Sequence, residues 1–244
     1  DGAGIYADGA IIDFGKGVLG GNTASHDGGG AYLIHGSAMT TTHLTEIGRT
    51  SYPNAARYGG GIYLDSSRLM FEGSIAQNTA SGRGGGIAAM AASDLTIARA
   101  VLQLNTAVGY GGGIYAQDSH LSVHHSRMHR NVGVRGGAIS QEGAGAVADL
   151  SNTLIYSNTS TAGLGAGVRS EGGSVTMTHV TLAHNISGAG YSQSHTEGRA
   201  VNSIAWGNDS GGFWVTSGNL AGTCSLDQTG TAGPKLDPQF VSPG

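Results

Sequence analysis

Gly111-Gly112-Gly113-Ile114-Tyr115-Ala116-Gln117-Asp118-Ser119-His120-Leu121-Ser122-Val123-His124-His125-Ser126-Arg127-Met128-His129-Arg130-Asn131 is one full repeat of this chain. It opens on a glycine cluster followed by an apolar residue, alternates apolar with polar through Leu121-Ser122-Val123, and closes on asparagine. Related clusters start at residues 2, 28, 59, 84, 111, 136 and 165. The closing marker keeps step as Asn22, Asn78, Asn105, Asn131, Asn158, Asn185 and Asn208. The second repeat offers only Asn54, inside an irregular insertion that contains Pro53. Self-similarity at such a period is the mark of a repeat architecture.

Between the markers the period is two. Leu95-Thr96-Ile97, Leu121-Ser122-Val123 and Val175-Thr176-Met177 alternate, and no segment has the 3.6 period of an amphipathic helix. Short alternating runs between glycine and asparagine turns predict half-buried strands. One repeat then holds three short strands and three turns, too little to bury its own apolar face. Stacking solves this: each strand pairs in parallel with its equivalent one repeat on, about 4.8 Å away. Ile5, Ile62, Ile87, Ile114, Ile139 and Val168 then form one inward ladder. Leu95, Leu121 and Val175 form a second, and Ile75, Leu102, Met128, Ile155 and Leu182 a third. The expected fold class is all-β, a single right-handed parallel β-helix over residues 1–244, triangular in section, with about eight coils and an irregular closing coil at about 202–244.

Composition agrees. Glycine supplies 45 of 244 residues, far above the usual ~7%. Apolar residues reach 39% and charged residues only 11%, whereas disorder needs low hydrophobicity and high charge. The net charge of −4 without a basic run argues against a nucleic-acid partner. No apolar run approaches the ~18 residues of a membrane span, so no membrane insertion by this segment is expected. Cys224 stands alone and leaves the redox compartment open. Asn158-Thr159-Ser160, Asn185-Ile186-Ser187 and Asn208-Asp209-Ser210 match the glycosylation pattern, but each lies on the asparagine ladder and reads as a turn.

Gly136-Gly137-Ala138-Ile139 is a literal GGAI, and Leu19xxAsn22, Ile75xxAsn78, Leu102xxAsn105, Met128xxAsn131, Ile155xxAsn158 and Leu182xxAsn185 follow an apolar-xxN pattern. The chlamydial polymorphic outer membrane proteins pair GGAI with FxxN. Phenylalanine never fills that place here, so the chain resembles the broader class of bacterial secreted right-handed parallel β-helix repeat proteins. Asn202-Ser203-Ile204-Ala205-Trp206-Gly207-Asn208 and Asp237-Pro238-Gln239-Phe240-Val241 resemble their closing coil. The resemblance implies a secreted or cell-surface protein. It leaves function open among adhesins, autotransporter passengers, polysaccharide lyases, glycosidases and carbohydrate-binding modules.

Tyr6, Tyr32, Tyr63 and Tyr115 directly follow an inward residue, so alternation turns them outward; Ala88, Ser140 and Arg169 hold that place in other coils. Stacked aromatic rings suit the apolar faces of sugars, although tyrosine also simply favours strands. Asp65 and Asp118 lie just past this strand and could add polar contacts. Four histidines crowd one coil (His120, His124, His125 and His129), yet strand rise and coil spacing keep outward pairs too far apart for one metal. No catalytic motif stands out: HExxH, G-x-S-x-G and GxxxxGK[ST] are missing. Gly15-Lys16-Gly17-Val18-Leu19-Gly20 matches GxGxxG without a following helix. Arg169 with Glu171 is the best polar pair and falls short of a site.

The expected function is therefore a non-catalytic extracellular binding or display module. Its partner would be a polysaccharide or cell-surface glycan held by Tyr6, Tyr32, Tyr63, Tyr115, Asp65, Asp118 and Arg169, with no catalytic residue, metal or cofactor. The alternatives are a β-helix polysaccharide lyase or glycosidase, and an adhesin or stalk segment. The chain stops soon after its closing coil without anchor or barrel, so a longer parent protein is expected.

Overall fold

A computed structural model describes residues 1–223 and 225–227; Cys224 and the Asp237–Val241 stretch lie outside the described residues. Strands and turns alternate without a helix among the described residues. Each glycine cluster launches one strand of a nine-stranded parallel front sheet: Ile5–Asp8, Ala31–Ile34, Ile62–Asp65, Ile87–Met90, Ile114–Gln117, Ile139–Glu142, Val168–Glu171, Tyr191–Ser194 and Phe213–Val215. The next two strands of each coil, such as His120–His124 and Arg127–His129, belong to a back sheet of 16 strands. In two coils they fuse into one long bent strand, Arg68–Ala76 and Asp94–Gln103. Every strand pairing among the described residues is parallel, and the result is the expected β-solenoid of about eight coils.

One element was not foreseen. A fourth short strand follows the asparagine in the middle coils, giving a five-stranded side sheet of Ala55–Ala56, Thr79–Ala80, Thr106–Ala107, Val132–Arg135 and Thr159–Leu164. Three of these strands hold only two residues, too few to show alternation in a sequence.

The inward ladders form in the expected register. Ile62, Ile87, Ile114, Ile139 and Val168 are successive Cα partners and fully buried. Ile75, Leu102, Met128, Ile155 and Leu182 pair likewise. Glycine is required where the chain enters the front strand. Gly111 has φ of 67°, and a Cβ on Gly112 would collide with the carbonyl oxygens of Gly137 and Val132 in the neighbouring coil. Glycine meets both conditions in the middle coils, while Ala3 and Ala166 fill the second place in the first and seventh clusters.

The asparagines form an unbroken ladder, buried from Asn54 onward, and Asn54 takes its place in it despite the surrounding insertion. The side-chain amide of Asn54 donates to Asn78 Oδ1 (2.9 Å), Asn78 to Asn105 (3.0 Å), Asn105 to Asn131 (3.0 Å) and Asn131 to Asn158 (3.0 Å). Each amide also reaches a backbone carbonyl, as Asn105 does at Ile75 (2.9 Å). Asn158 and Asn185 are fully buried in this array, and Asn208 nearly so, which explains why their glycosylation patterns are structural.

Candidate functional site

Alternation on the front sheet sends the first and third residues of each strand into the core and the second and fourth to the outer face. The second residues form a column running Tyr6, Tyr32, Tyr63, Ala88, Tyr115, Ser140, Arg169, Ser192 and Trp214. The fourth residues run from Asp8 through Asp65, Met90, Gln117, Glu142 and Glu171 to Ser194. Beside them stand the residues that precede each glycine cluster: Asp27, Tyr58, Arg83, Tyr110, Arg135 and Leu164. These make a raised wall along the sheet.

Three tyrosines stack as expected. Tyr6 and Tyr32 have ring centroids 5.6 Å apart, Tyr32 and Tyr63 5.1 Å, with interplanar angles of 22° and 12°. Exposure along the column falls steeply, however. Tyr6 is 57% exposed and Tyr32 half-buried, but Tyr63 retains only 8% and Tyr115 none. The expectation of four exposed rings is corrected to two. Burial raises the phenol pKa of Tyr32, Tyr63 and Tyr115 above the ordinary range; Asp27 and Asp65 add to it at Tyr32, Asp65 at Tyr63, and Glu142 at Tyr115.

Tyr115 is covered because long side chains from the wall and the sheet close over it. Its hydroxyl accepts from Arg83 Nη1 at 2.6 Å and lies 2.9 Å from Glu142 Oε2 and 3.1 Å from Gln117 Oε1. Glu142 in turn accepts from Arg169 at 2.7 Å, and the other Nη of Arg169 contacts Glu171. Arg83, Arg135 and Arg169 all place their guanidinium carbons 5.2 to 5.6 Å from the centre of the Tyr110 ring. Arg169 was expected as a ligand contact. It is 5% exposed and acts as the pin joining two carboxylates on adjacent coils. Asp65 is half-buried at the end of its strand and accepts from Ser66 (2.9 Å). Asp118 sits in the turn beyond the strand, exposed, with φ of 45°, and accepts from the Gly145 N–H. The structure therefore leaves Asp118 away from the tyrosines.

Past Arg169 the face opens. The wall residues Arg135 and Leu164, the sheet residues Arg169, Ser192 and Trp214, and Thr216 just past the last strand line a groove, and Trp214 is 43% exposed. Trp214 and the wall went unnoticed in the sequence. Gly211-Gly212-Phe213-Trp214 is nevertheless another glycine-to-strand junction, and the wall residues share a fixed offset before each cluster.

This stacking of coils, with its glycine entry and asparagine ladder, matches a family model described as "Right handed beta helix region" over residues 99–225. The chain belongs to that family. No curated protein and no solved structure gives a significant match to it. Within this β-helix the crowded histidines occupy the back sheet, away from the groove. His120 lies 3.2 Å from Asp94 and 3.5 Å from Asp149, linking three coils. No cluster of three or more metal-ligating side chains occurs among the described residues.

Proposed function

We propose that this β-helix is a non-catalytic carbohydrate-binding module, secreted or displayed at a cell surface, that takes a polysaccharide along the outer face of its front sheet. The observation that carries the reading is the groove at Trp214. An exposed indole offers a flat apolar platform for a sugar face. The exposed Thr216 hydroxyl stands beside it, donating to the Gln193 carbonyl and keeping its lone pairs for a sugar hydroxyl, and Arg135 flanks it from the wall. At the far end of the same face Tyr6 and Tyr32 give a second aromatic station. Eight coil steps separate Tyr6 from Trp214, about 38 Å along the axis, so an extended polymer reaches both and a short oligosaccharide only one.

The rival reading, a lyase or glycosidase, has its best support in Glu142 and Glu171, which are Cα partners on adjacent coils. Both are tied to Arg169, an arrangement that suits a structural pin better than an acid–base pair. Affinity electrophoresis against plant and bacterial polysaccharides, with product release assayed in parallel, separates the two. The binding reading expects retardation without products. Products from any polymer overturn it, and neither retardation nor products would leave an adhesin or stalk.

A further inference from the structure

Three guanidiniums crowd one ring of the front-face wall, and only one of them is balanced by acid. Arg83, Arg135 and Arg169 all converge on Tyr110. Arg169 is buried and committed to Glu142 and Glu171. Arg83 donates to the neutral Tyr115 hydroxyl and closes over that ring. Arg135 is half-buried and stands over the Tyr110 ring, and its guanidinium makes no hydrogen bond or ion pair with any described residue. Cation–π contact with Tyr110 holds this guanidinium in place, but its N–H donors have no acceptor. Partly desolvated cations set so close repel one another unless an anion joins them. Arg135 also forms one lip of the groove that holds Trp214, so its donors are within reach of a ligand seated there.

We propose that the front groove selects an anionic polysaccharide, one whose carboxylate or sulfate substituent seats against the Arg135 guanidinium while a neighbouring sugar covers Trp214. This specificity rests on the carbohydrate-binding reading of the same face and adds to it the class of ligand. A planar guanidinium fork matches two oxygens of either group, and it bonds charged acceptors about twice as strongly as neutral ones. Glu142 and Glu171 do not supply that acceptor, because Arg169 holds both. The net charge of −4 gives no general attraction for anions, so a preference for them has to come from a local cation. Arg135 is placed to provide it. At the other end of the face Asp27 and Asp65 stand close enough to Tyr32 and Tyr63 to raise their phenol pKa, and anionic groups are disfavoured there. A polymer that reaches both ends therefore carries its charge on some sugars and not on all.

Isothermal titration with two pairs of polymers tests the assignment. Pectin with part of its carboxylates free is compared with the fully methyl-esterified chain, and chondroitin sulfate with the same chain desulfated and carboxyl-reduced. The charged member of at least one pair is expected to bind about tenfold or more tightly than its neutral partner, and added salt should shrink that difference. The pair that shows it tells carboxylate from sulfate. Arg135→Gln should bring the two members of that pair within about threefold of each other. Its unfolding midpoint should not fall by more than a surface change allows, because the guanidinium bonds nothing in the protein. Arg127→Gln removes the same charge from the exposed face of the back sheet and should keep the preference. Equal affinity within both pairs overturns the anionic assignment and leaves the proposed function standing. So does a preference that survives Arg135→Gln, or one lost equally in Arg127→Gln. Binding to none of the four polymers, or to any other polysaccharide, overturns the carbohydrate reading and this specificity together.

Discussion

Tyr6 and Tyr115 occupy equivalent positions on the same sheet, yet one lies open to solvent and the other is sealed beneath arginine. Alternation fixes which side of the sheet a residue leaves from. It does not fix what stands beside it. Near Tyr32 the wall residue is the short Asp27, while around Tyr115 it is Arg83 and Tyr110, long enough to arch over the column. At Trp214 the exposed platform reappears. The front face thus divides into an open aromatic end, a closed ionic middle and an open groove, and the chemistry available to a ligand is confined to the two ends.

The sharpest way to break this division is to truncate the two tyrosines in turn. Tyr115→Ala should cost about 3–5 kcal/mol of stability, as for other large buried aromatics, because the ring is fully buried and both Arg83 and Glu142 lose a partner. Tyr32→Ala, half-buried between two rings, should cost about 1 kcal/mol. Urea unfolding followed by circular dichroism checks both. Equal losses would mean that the middle of the face is no more closed than its end.

Next in size is the groove. Trp214→Ala should lower affinity for the best-bound polysaccharide about thirtyfold, or roughly 2 kcal/mol, with little change in unfolding midpoint because the ring is exposed. Isothermal titration of folded variant and wild type measures it. Retained affinity in Trp214→Ala together with a loss in Tyr6→Ala would move the main site to the tyrosine end.

The closed middle also has a pH signature. Tyr63 and Tyr115 on this face, and Tyr191 in the core, are held above the ordinary phenol value of 10.0, chiefly by burial. In the unfolded chain these phenols release their protons near that value, while the folded chain keeps them. The unfolded state then binds fewer protons, so stability is complete below pH 10 and falls as pH rises past it. Each group contributes at most about 1.4 kcal/mol per pH unit. Tyr115→Phe should flatten that alkaline slope while costing about 1–2 kcal/mol at neutral pH through the stranded Arg83. An unchanged slope would show that the Tyr115 phenol is not the closed group described.

How much of this was legible depended on the length of the signal. Ile62 through Val168 and the asparagine ladder were readable because the same residue type recurs at each coil and stacking demands it. Asn54 was obscured by the irregular residues before it, although the bonding it makes is identical in kind to that of Asn105. The wall escaped notice because its members differ in chemistry, from Asp27 to Leu164, and share only an offset. Burial of Tyr63 and Tyr115 depended on side chains arriving from other segments, Arg83 above all, and no single repeat contains that information.

The smallest expected effect probes whether the two open ends act together. Tyr6 is the outermost ring of its stack, more than half exposed, with Tyr32 covering one face. Tyr6→Ala should therefore cost only about 0.5 kcal/mol of stability, the loss of one exposed stacking contact. Its effect on binding should depend on ligand length. A hexasaccharide seated at Trp214 cannot span the roughly 38 Å to Tyr6, and its affinity should be unaltered. A long polymer engages both ends, and the second contact adds avidity through a high effective concentration, so Tyr6→Ala should weaken polymer binding alone, by about threefold to tenfold. Titrating one glycan as a hexamer and as the full polymer against the same variant reads both outcomes. Equal loss for hexamer and polymer would place the short ligand at the tyrosines, and no loss for either would confine recognition to the groove at Trp214.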